Sequence, residues 1–97
     1  MIHYEWDVEE TNSDGDVIQH WFQNSYADCA KFVREKTPGH DCFFLIVLVK
    51  IKDGDYGWWY VGAGDVWDVF HDANGSEFGK VPEKYKKEVH LTNSMLY

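Results

Sequence analysis

The chain has 97 residues, a formal net charge of −8 and only two cysteines. This length predicts one domain, residues 1–97, built around a single hydrophobic core. Two cysteines are too few for a disulfide scaffold, and the acidic balance argues against direct nucleic-acid binding because like charges repel. The amino terminus shows neither the basic region nor the apolar run of a signal peptide. We therefore expect a cytoplasmic protein with free thiols, not associated with a membrane.

The first 23 residues predict a β-hairpin. Apolar residues at positions 2, 4, 6 and 8 alternate with polar residues at positions 3, 5, 7 and 9. This alternation predicts a half-buried strand whose acidic face, with Glu5, Asp7 and Glu9, lies in water. Residues 12–15 read as a turn, and residues 16–23 return as a second strand. Trp21 and Phe22 are adjacent and therefore point to opposite faces of that strand.

A helix and the central strand follow. Ser25 is the predicted N-cap, and residues 37–39 (Thr-Pro-Gly) stop the helix. Residues 41–52 then predict a strand, because the apolar run 42–49 is rich in β-branched and aromatic residues and too short to cross a bilayer. Positions 43, 45, 47, 49 and 51 are all apolar, so we expect that face to be buried along its whole length. The other face ends in Lys50 and Lys52, so only its first half is expected to be buried.

The last third of the chain predicts a return strand and a final helix. Residues 53–57 read as a turn and residues 58–63 as a strand, while residues 66–71 are compatible with a short strand or a helical turn. Pro82 begins a helix that is expected to end near His90, and the tail 91–97 is unassigned. The order ββαββ(β)α predicts an α+β fold. We expect an antiparallel sheet of four to five strands, with one or two helices packed on one face.

The sequence contains no pattern that specifies a catalytic, cofactor or metal site. The five histidines lack metal-ligand spacing, and the common nucleotide-binding, zinc-binding and nucleophile motifs are missing. We therefore expect no metal and no cofactor. His71 beside Asp68 or Asp72 is the one pairing that suggests acid–base chemistry, although a solvated turn histidine explains it more simply. The aromatic run at 58–60 places one ring opposite the other two, so part of it either packs under a helix or forms an exposed contact site.

Acidic residues are concentrated in two blocks. Residues 1–30 contain seven acids and no Lys or Arg, and residues 53–79 contain six acids and no Lys or Arg. Such blocks attract a basic partner if they fold onto exposed surfaces. The residues that we predict to contact this partner are Glu5, Asp7, Glu9, Glu10, Asp14, Asp16, Asp53, Asp55, Asp65, Asp68 and Asp72.

Three short segments carry a resemblance. They are 4–10 (Tyr-Glu-Trp-Asp-Val-Glu-Glu), 15–18 (Gly-Asp-Val-Ile), and 59–61 leading through 79–85 (Gly-Lys-Val-Pro-Glu-Lys-Tyr) to Val89. Together they resemble short, acidic, uncharacterised proteins of bacteriophages and mobile elements, although the strand 43–51 is longer and more apolar here. The resemblance implies a phage-type product in a bacterial cytoplasm and assigns no residue a role. Small acidic phage proteins often block host defence machinery, as anti-CRISPR and anti-restriction proteins do.

The leading hypothesis is a non-enzymatic inhibitor of a host defence complex. Its carboxylates would occupy Lys and Arg sites that otherwise hold phosphates, so that the acidic surface mimics a nucleic acid. The expected partner is a protein with a basic nucleic-acid-binding surface. Two alternatives remain open: a structural or accessory interaction module without inhibitory activity, and a small enzyme of unknown reaction. The sequence does not determine the oligomeric state.

Overall fold

The computed structural model describes residues 1–39, 41–61, 70–72 and 81–96. Side chains are described for all of these residues except 70–72 and Leu96. The elements are β1 (Ile2–Thr11), β2 (Val17–Gln23), α1 (Tyr26–Lys36), β3 (Phe43–Lys52), β4 (Asp55–Val61), β5 (Phe70–Asp72) and α2 (Glu83–Leu96). The strands form one sheet in the order β2-β1-β3-β4-β5, and every neighbouring pair is antiparallel. The predicted α+β fold is confirmed, with four long strands and a short fifth.

The long pair β1–β3 forms the centre of the sheet. Their register runs without interruption from Ile2 opposite Lys52 to Thr11 opposite Phe43. The helix α1 lies between β2 and β3 in the chain, and it lets the chain cross over so that β3 pairs with β1 instead of β2. As a result, β1 is hydrogen-bonded along both of its edges and its side chains are flanked on both sides.

Both helices contribute to the hydrophobic core on one face of the sheet. Trp6 of β1 lies at the centre of this core, with ring centroids 5.3 Å from Tyr26 of α1 and 6.1 Å from Tyr85 of α2. Val89 of α2 and Leu48 of β3 are fully buried in the same cluster. The expectation that helices pack on one face is therefore confirmed. The opposite face of the sheet, which neither helix covers, is the open face.

The expected burial of β3 is wrong for one of its two faces. Phe44, Ile46 and Leu48 point toward the helices and belong to the main core, as their positions opposite Glu10, Val8 and Trp6 require. The odd-numbered face, which was expected to be buried throughout, is the open face. Phe43 at its start is 47 % exposed, and only its middle is buried. The reason is that the helices cover the face that carries Trp6, and cross-strand register then fixes which side of β3 joins the core.

Local signals predicted the positions of three connections, and one of these is shorter than predicted. The Ser25 side chain accepts a hydrogen bond of 3.1 Å from the Asp28 amide, which caps α1. In the β1–β2 turn, Asn12 Oδ1 accepts from two backbone amides and Gly15 has a φ of 88°. The β3–β4 turn is tighter than predicted, since only Asp53 and Gly54, both with positive φ, separate the strands. The strand β4 therefore begins at Asp55 rather than at 58.

The helix α2 is longer than predicted because it has tertiary partners. It continues to Leu96 instead of ending near His90. The Tyr26 hydroxyl donates a 2.9 Å hydrogen bond to Asn93 Oδ1, and the Tyr26 amide donates one of 2.7 Å to Glu88 Oε2. The bond to Asn93 holds the weak helix-forming segment 92–94 against α1. Within the described residues, no helix has the length and apolarity to cross a membrane.

The two cysteines are not bonded to each other. Cys29 is fully buried on the inner side of α1, as its place in the apolar stripe predicted. Cys42 was expected to be buried too, but it is only half-buried because it precedes the first residue of β3.

Candidate binding surface on the open face

The sheet separates the charges of this protein. Side chains of β1 at positions 5, 7 and 9 point to the open face, and all three are acids. No described Lys or Arg shares that face. Every described Lys and Arg lies on a helix or on the helix side of β3, namely Lys31, Arg34, Lys36, Lys50, Lys52, Lys84, Lys86 and Lys87. The open face is therefore acidic in a way that net charge alone does not reveal.

Asp7 lies at the centre of the acidic row and is buried. Its side chain is 2 % exposed, between Phe22 of β2 and Val47 of β3, which are its cross-strand neighbours. Burial, followed by the side-chain hydrogen bond with Glu5 and the charges of Glu5 and Glu9, raises the pKa of Asp7 from 3.8 to about 7. The prediction that this side chain lies in water is wrong, because strands on both sides of β1 surround it.

Two further groups approach the acidic row. His20 Nε2 lies 3.4 Å from Asp7 Oδ2, and this oxygen has no hydrogen-bond partner. On the other side, Tyr60 of β4 hydrogen-bonds with Glu9. Burial raises the pKa of Tyr60, and the neighbouring Glu9 carboxylate raises it further. Glu9 Oε2 is also buried without a hydrogen-bond partner. The acidic row thus contains two carboxylate oxygens that lack donors.

A cavity of about 260 Å³ lies on the same face. Glu9 and His20 line its polar side, whereas Val47 and Val49 of β3 belong to its apolar lining. Tyr56 and Trp58 of β4 are the other described residues of the lining. The cavity therefore joins one carboxylate and one imidazole to an aliphatic and aromatic surface, a combination typical of sites that bind an organic cation.

The other predicted contact residues do not form one surface with this row. Asp14 and Asp16 lie in the exposed β1–β2 turn, while Asp53 and Asp55 lie at the opposite end of the sheet. These ends are about 30 Å apart, the length of a ten-residue strand. The Asp53 carboxylate is 2.9 Å from the terminal amine of Met1.

The remaining predicted residues fall on the helix side or outside the described part. Glu10 shares the helix side with Phe44, its cross-strand partner. Asp65 and Asp68 lie outside the described residues, and the side chain of Asp72 is not described, nor is that of His71. The suggested pairing of His71 with a carboxylate therefore falls outside the described side chains.

Sequence reasoning named Glu9 as a contact residue but missed most of the other cavity residues. His20, Val47 and Val49 come from two strands, and only the strand order β2-β1-β3-β4 brings them to one place. The aromatic run at 58–60 did carry a signal. Trp59 faces the core and is 3 % exposed, so alternation places Trp58 and Tyr60 together on the open face.

Comparisons with known proteins do not add a function. No protein-family model matches the sequence, and no curated protein or solved structure is significantly similar to it. Among the described residues, no group of three or more His, Cys, Asp or Glu side chains is arranged to hold a metal ion.

Proposed function

We propose that this is a non-enzymatic binding protein whose open face docks onto a basic, phosphate-binding surface of a larger partner protein and blocks it. The observation that supports this most is the charge separation across the sheet. Glu5, Asp7 and Glu9 occupy the open face, and every described Lys and Arg lies on the helix side. A partner with clustered Lys and Arg would be oriented by this dipolar distribution before contact.

The proposed inhibition follows from competition for the same cations. Carboxylates and phosphates both accept charge-assisted hydrogen bonds from Lys and Arg, so a docked acidic face excludes nucleic acid from those residues. The resemblance to bacteriophage proteins suggests that the partner is a host defence complex. Aromatic groups at the border of the face, with Tyr56 59 % and Phe22 61 % exposed, would supply the apolar part of the contact.

A small enzyme is the second candidate, and one observation favours it. The pKa of Asp7 is raised to about 7, as is common for general acids and bases, and His20 lies beside it. The position of Asp7 argues against this role. Its side chain is 2 % exposed and is not among the residues that line the cavity, so a substrate in the cavity would not contact it. The binding function is therefore preferred.

The test compares two double variants that have the same net charge. The open-face variant combines Glu5→Gln with Glu9→Gln. The control combines Glu35→Gln with Glu83→Gln, two exposed acids on the helices. Immobilised wild-type protein is used to capture a partner from a bacterial lysate, and association rates are then measured with the purified partner over a salt series.

We expect the open-face variant to associate about tenfold more slowly than wild type, and the control to change by less than about twofold. Raising the salt should slow association of the wild-type protein, because exposed charges are screened beyond about 10 Å at 0.1 M. Duplex DNA should release the captured partner. Equal effects of the two variants, or a partner that duplex DNA leaves bound, would show that the open face does not mimic phosphates.

A further inference from the structure

One carboxylate oxygen on the polar side of the cavity, Glu9 Oε2, lacks a hydrogen-bond donor. Glu9 Oε2 and Asp7 Oδ2 are both buried and both lack a hydrogen-bond partner. Buried acceptors are nearly always paired in folded proteins, because an unpaired one loses its water without compensation. Asp7 does not line the cavity, and His20 Nε2 lies 3.4 Å from its Oδ2, so only Glu9 Oε2 bears on the ligand. Because Glu9 lines the cavity, its Oε2 indicates that a donor from outside the described residues completes the site.

The required donor is a cation. Glu9 lines the cavity directly, while Asp7 lies next to it, opposite Val47 and 3.4 Å from the lining residue His20. The described residues of this face supply no Lys or Arg. A cation with several N–H groups, bound in the cavity, would satisfy Glu9 Oε2 and offset its negative charge.

The apolar part of the cavity distinguishes a guanidinium from an ammonium ion. Trp58 and Tyr56 offer aromatic surface on which a planar guanidinium can stack while its edge donates to a carboxylate. Val47 and Val49, 1 % and 8 % exposed, offer an aliphatic surface for the methylene stem of the same side chain. A lysine ammonium is more strongly hydrated than a guanidinium. It is not planar, so it cannot stack on an aromatic ring while it forms a bidentate hydrogen bond with a carboxylate.

The volume limits the ligand to one side chain. The cavity measures about 260 Å³, below the roughly 300–1,000 Å³ of sites that enclose drug-sized ligands. We infer that the cavity lined by Glu9, His20, Val47, Val49, Tyr56 and Trp58 binds the guanidinium group of an arginine presented by a partner protein. The choice of a protein partner rests on the proposed function, whereas the preference for a guanidinium rests on the cavity itself.

The experiment uses three capped tripeptides as probes: glycine-arginine-glycine, glycine-lysine-glycine and glycine-citrulline-glycine. Citrulline has the shape of arginine without its charge. Binding to the full-length protein is followed by NMR, through the indole and backbone signals of Trp58 and its neighbours. We expect the arginine peptide to bind weakly, with a Kd of about 1 mM. The lysine peptide should bind several-fold more weakly, and the citrulline peptide should not bind measurably.

Three variants locate the site. Glu9→Gln preserves shape and should weaken arginine binding about tenfold, as loss of a charge-assisted hydrogen bond does. Tyr56→Ala alters an exposed side chain, so it should fold normally and weaken binding several-fold. Glu10→Gln, the next residue on the same strand but on the helix side, should bind like wild type. Equal binding of arginine and citrulline peptides, or an equal loss in Glu9→Gln and Glu10→Gln, would overturn the inference.

The two proposals fail in different ways. If the arginine peptide does not bind while the captured partner still distinguishes the open-face variant from its control, the cavity inference is wrong and the proposed function stands. If the arginine peptide binds as described while the partner shows no dependence on the open face, the cavity inference stands and the proposed function is wrong.

Discussion

Asp7→Asn should remove the pH dependence that Asp7 contributes to the stability of the folded protein. The pKa of Asp7 is raised from 3.8 to about 7 in the folded protein, chiefly by burial. Between these two values the unfolded chain has released this proton and the folded protein still holds it. The contribution of Asp7 to stability therefore falls as pH rises from about 4 to about 7, and it is constant above that range. Asparagine has nearly the same shape and cannot ionise.

The size of the effect follows from the shift in pKa. One unit corresponds to about 1.4 kcal/mol, so the shift corresponds to about 4 kcal/mol as an upper value. This is a large part of the roughly 5–15 kcal/mol that stabilises a typical domain. Relative to wild type, Asp7→Asn should gain stability by several kcal/mol between pH 4 and pH 7.5. At the acidic end of this pH range, the free energies of unfolding of the two proteins should differ by only about 1 kcal/mol, because both side chains present a neutral group to Glu5.

The assay is urea unfolding followed by tryptophan fluorescence at a series of pH values. Asp16→Asn is the matched control, since Asp16 is exposed in the β1–β2 turn. The difference between each variant and wild type removes the titration of all other groups. A parallel pH dependence for Asp7→Asn and wild type would refute the conclusion that Asp7 is buried with a raised pKa. A rising difference for Asp16→Asn of similar size would show that general charge repulsion is the cause.

Three further predictions concern the core and the cysteines. Ile46→Ala should cost about 2–4 kcal/mol in urea unfolding because it leaves a cavity in the main core, whereas Ile18→Ala, at a half-exposed position, should cost about 0.5 kcal/mol or less. Tyr26→Phe should cost about 1 kcal/mol, because the hydroxyl bond to Asn93 is lost, and amide exchange in the last two turns of α2 should quicken while α1 is unchanged. Thiol titration of the unreduced, denatured protein should find two thiols. In the native protein, the half-buried Cys42 should react first, because Cys29 is fully buried and burial raises the pKa of its thiol.

The sequence by itself determined the type and order of most elements. Period-two alternation in residues 2–9 predicted β1 and the inward position of Trp6, because neighbouring strand side chains always point to opposite faces. Ser25 predicted the start of α1, and residues 53–57 predicted the place of the β3–β4 turn but not its two-residue length, since place depends on the chemistry of a few adjacent residues. Alternation also predicted that the side chains of Trp21 and Phe22 point to opposite faces of β2. The ring centroids of Trp21 and Phe32 of α1 are 5.2 Å apart, whereas Phe22 is exposed on the other face.

Only the tertiary structure decided which face of the sheet is covered and what lies on the other. Both faces of β3 begin with apolar residues, so its own sequence cannot specify the side that joins the core, and pairing with β1 makes that choice. The pattern of β1 predicted a wet acidic face, but the burial of Asp7 depends on the side chains of β2 and β3 that flank it. The cavity likewise needs four strands in the order β2-β1-β3-β4, which local propensity does not encode. The physical reason is that burial and pKa depend on neighbours distant in sequence, whereas alternation, caps and turns depend on adjacent residues.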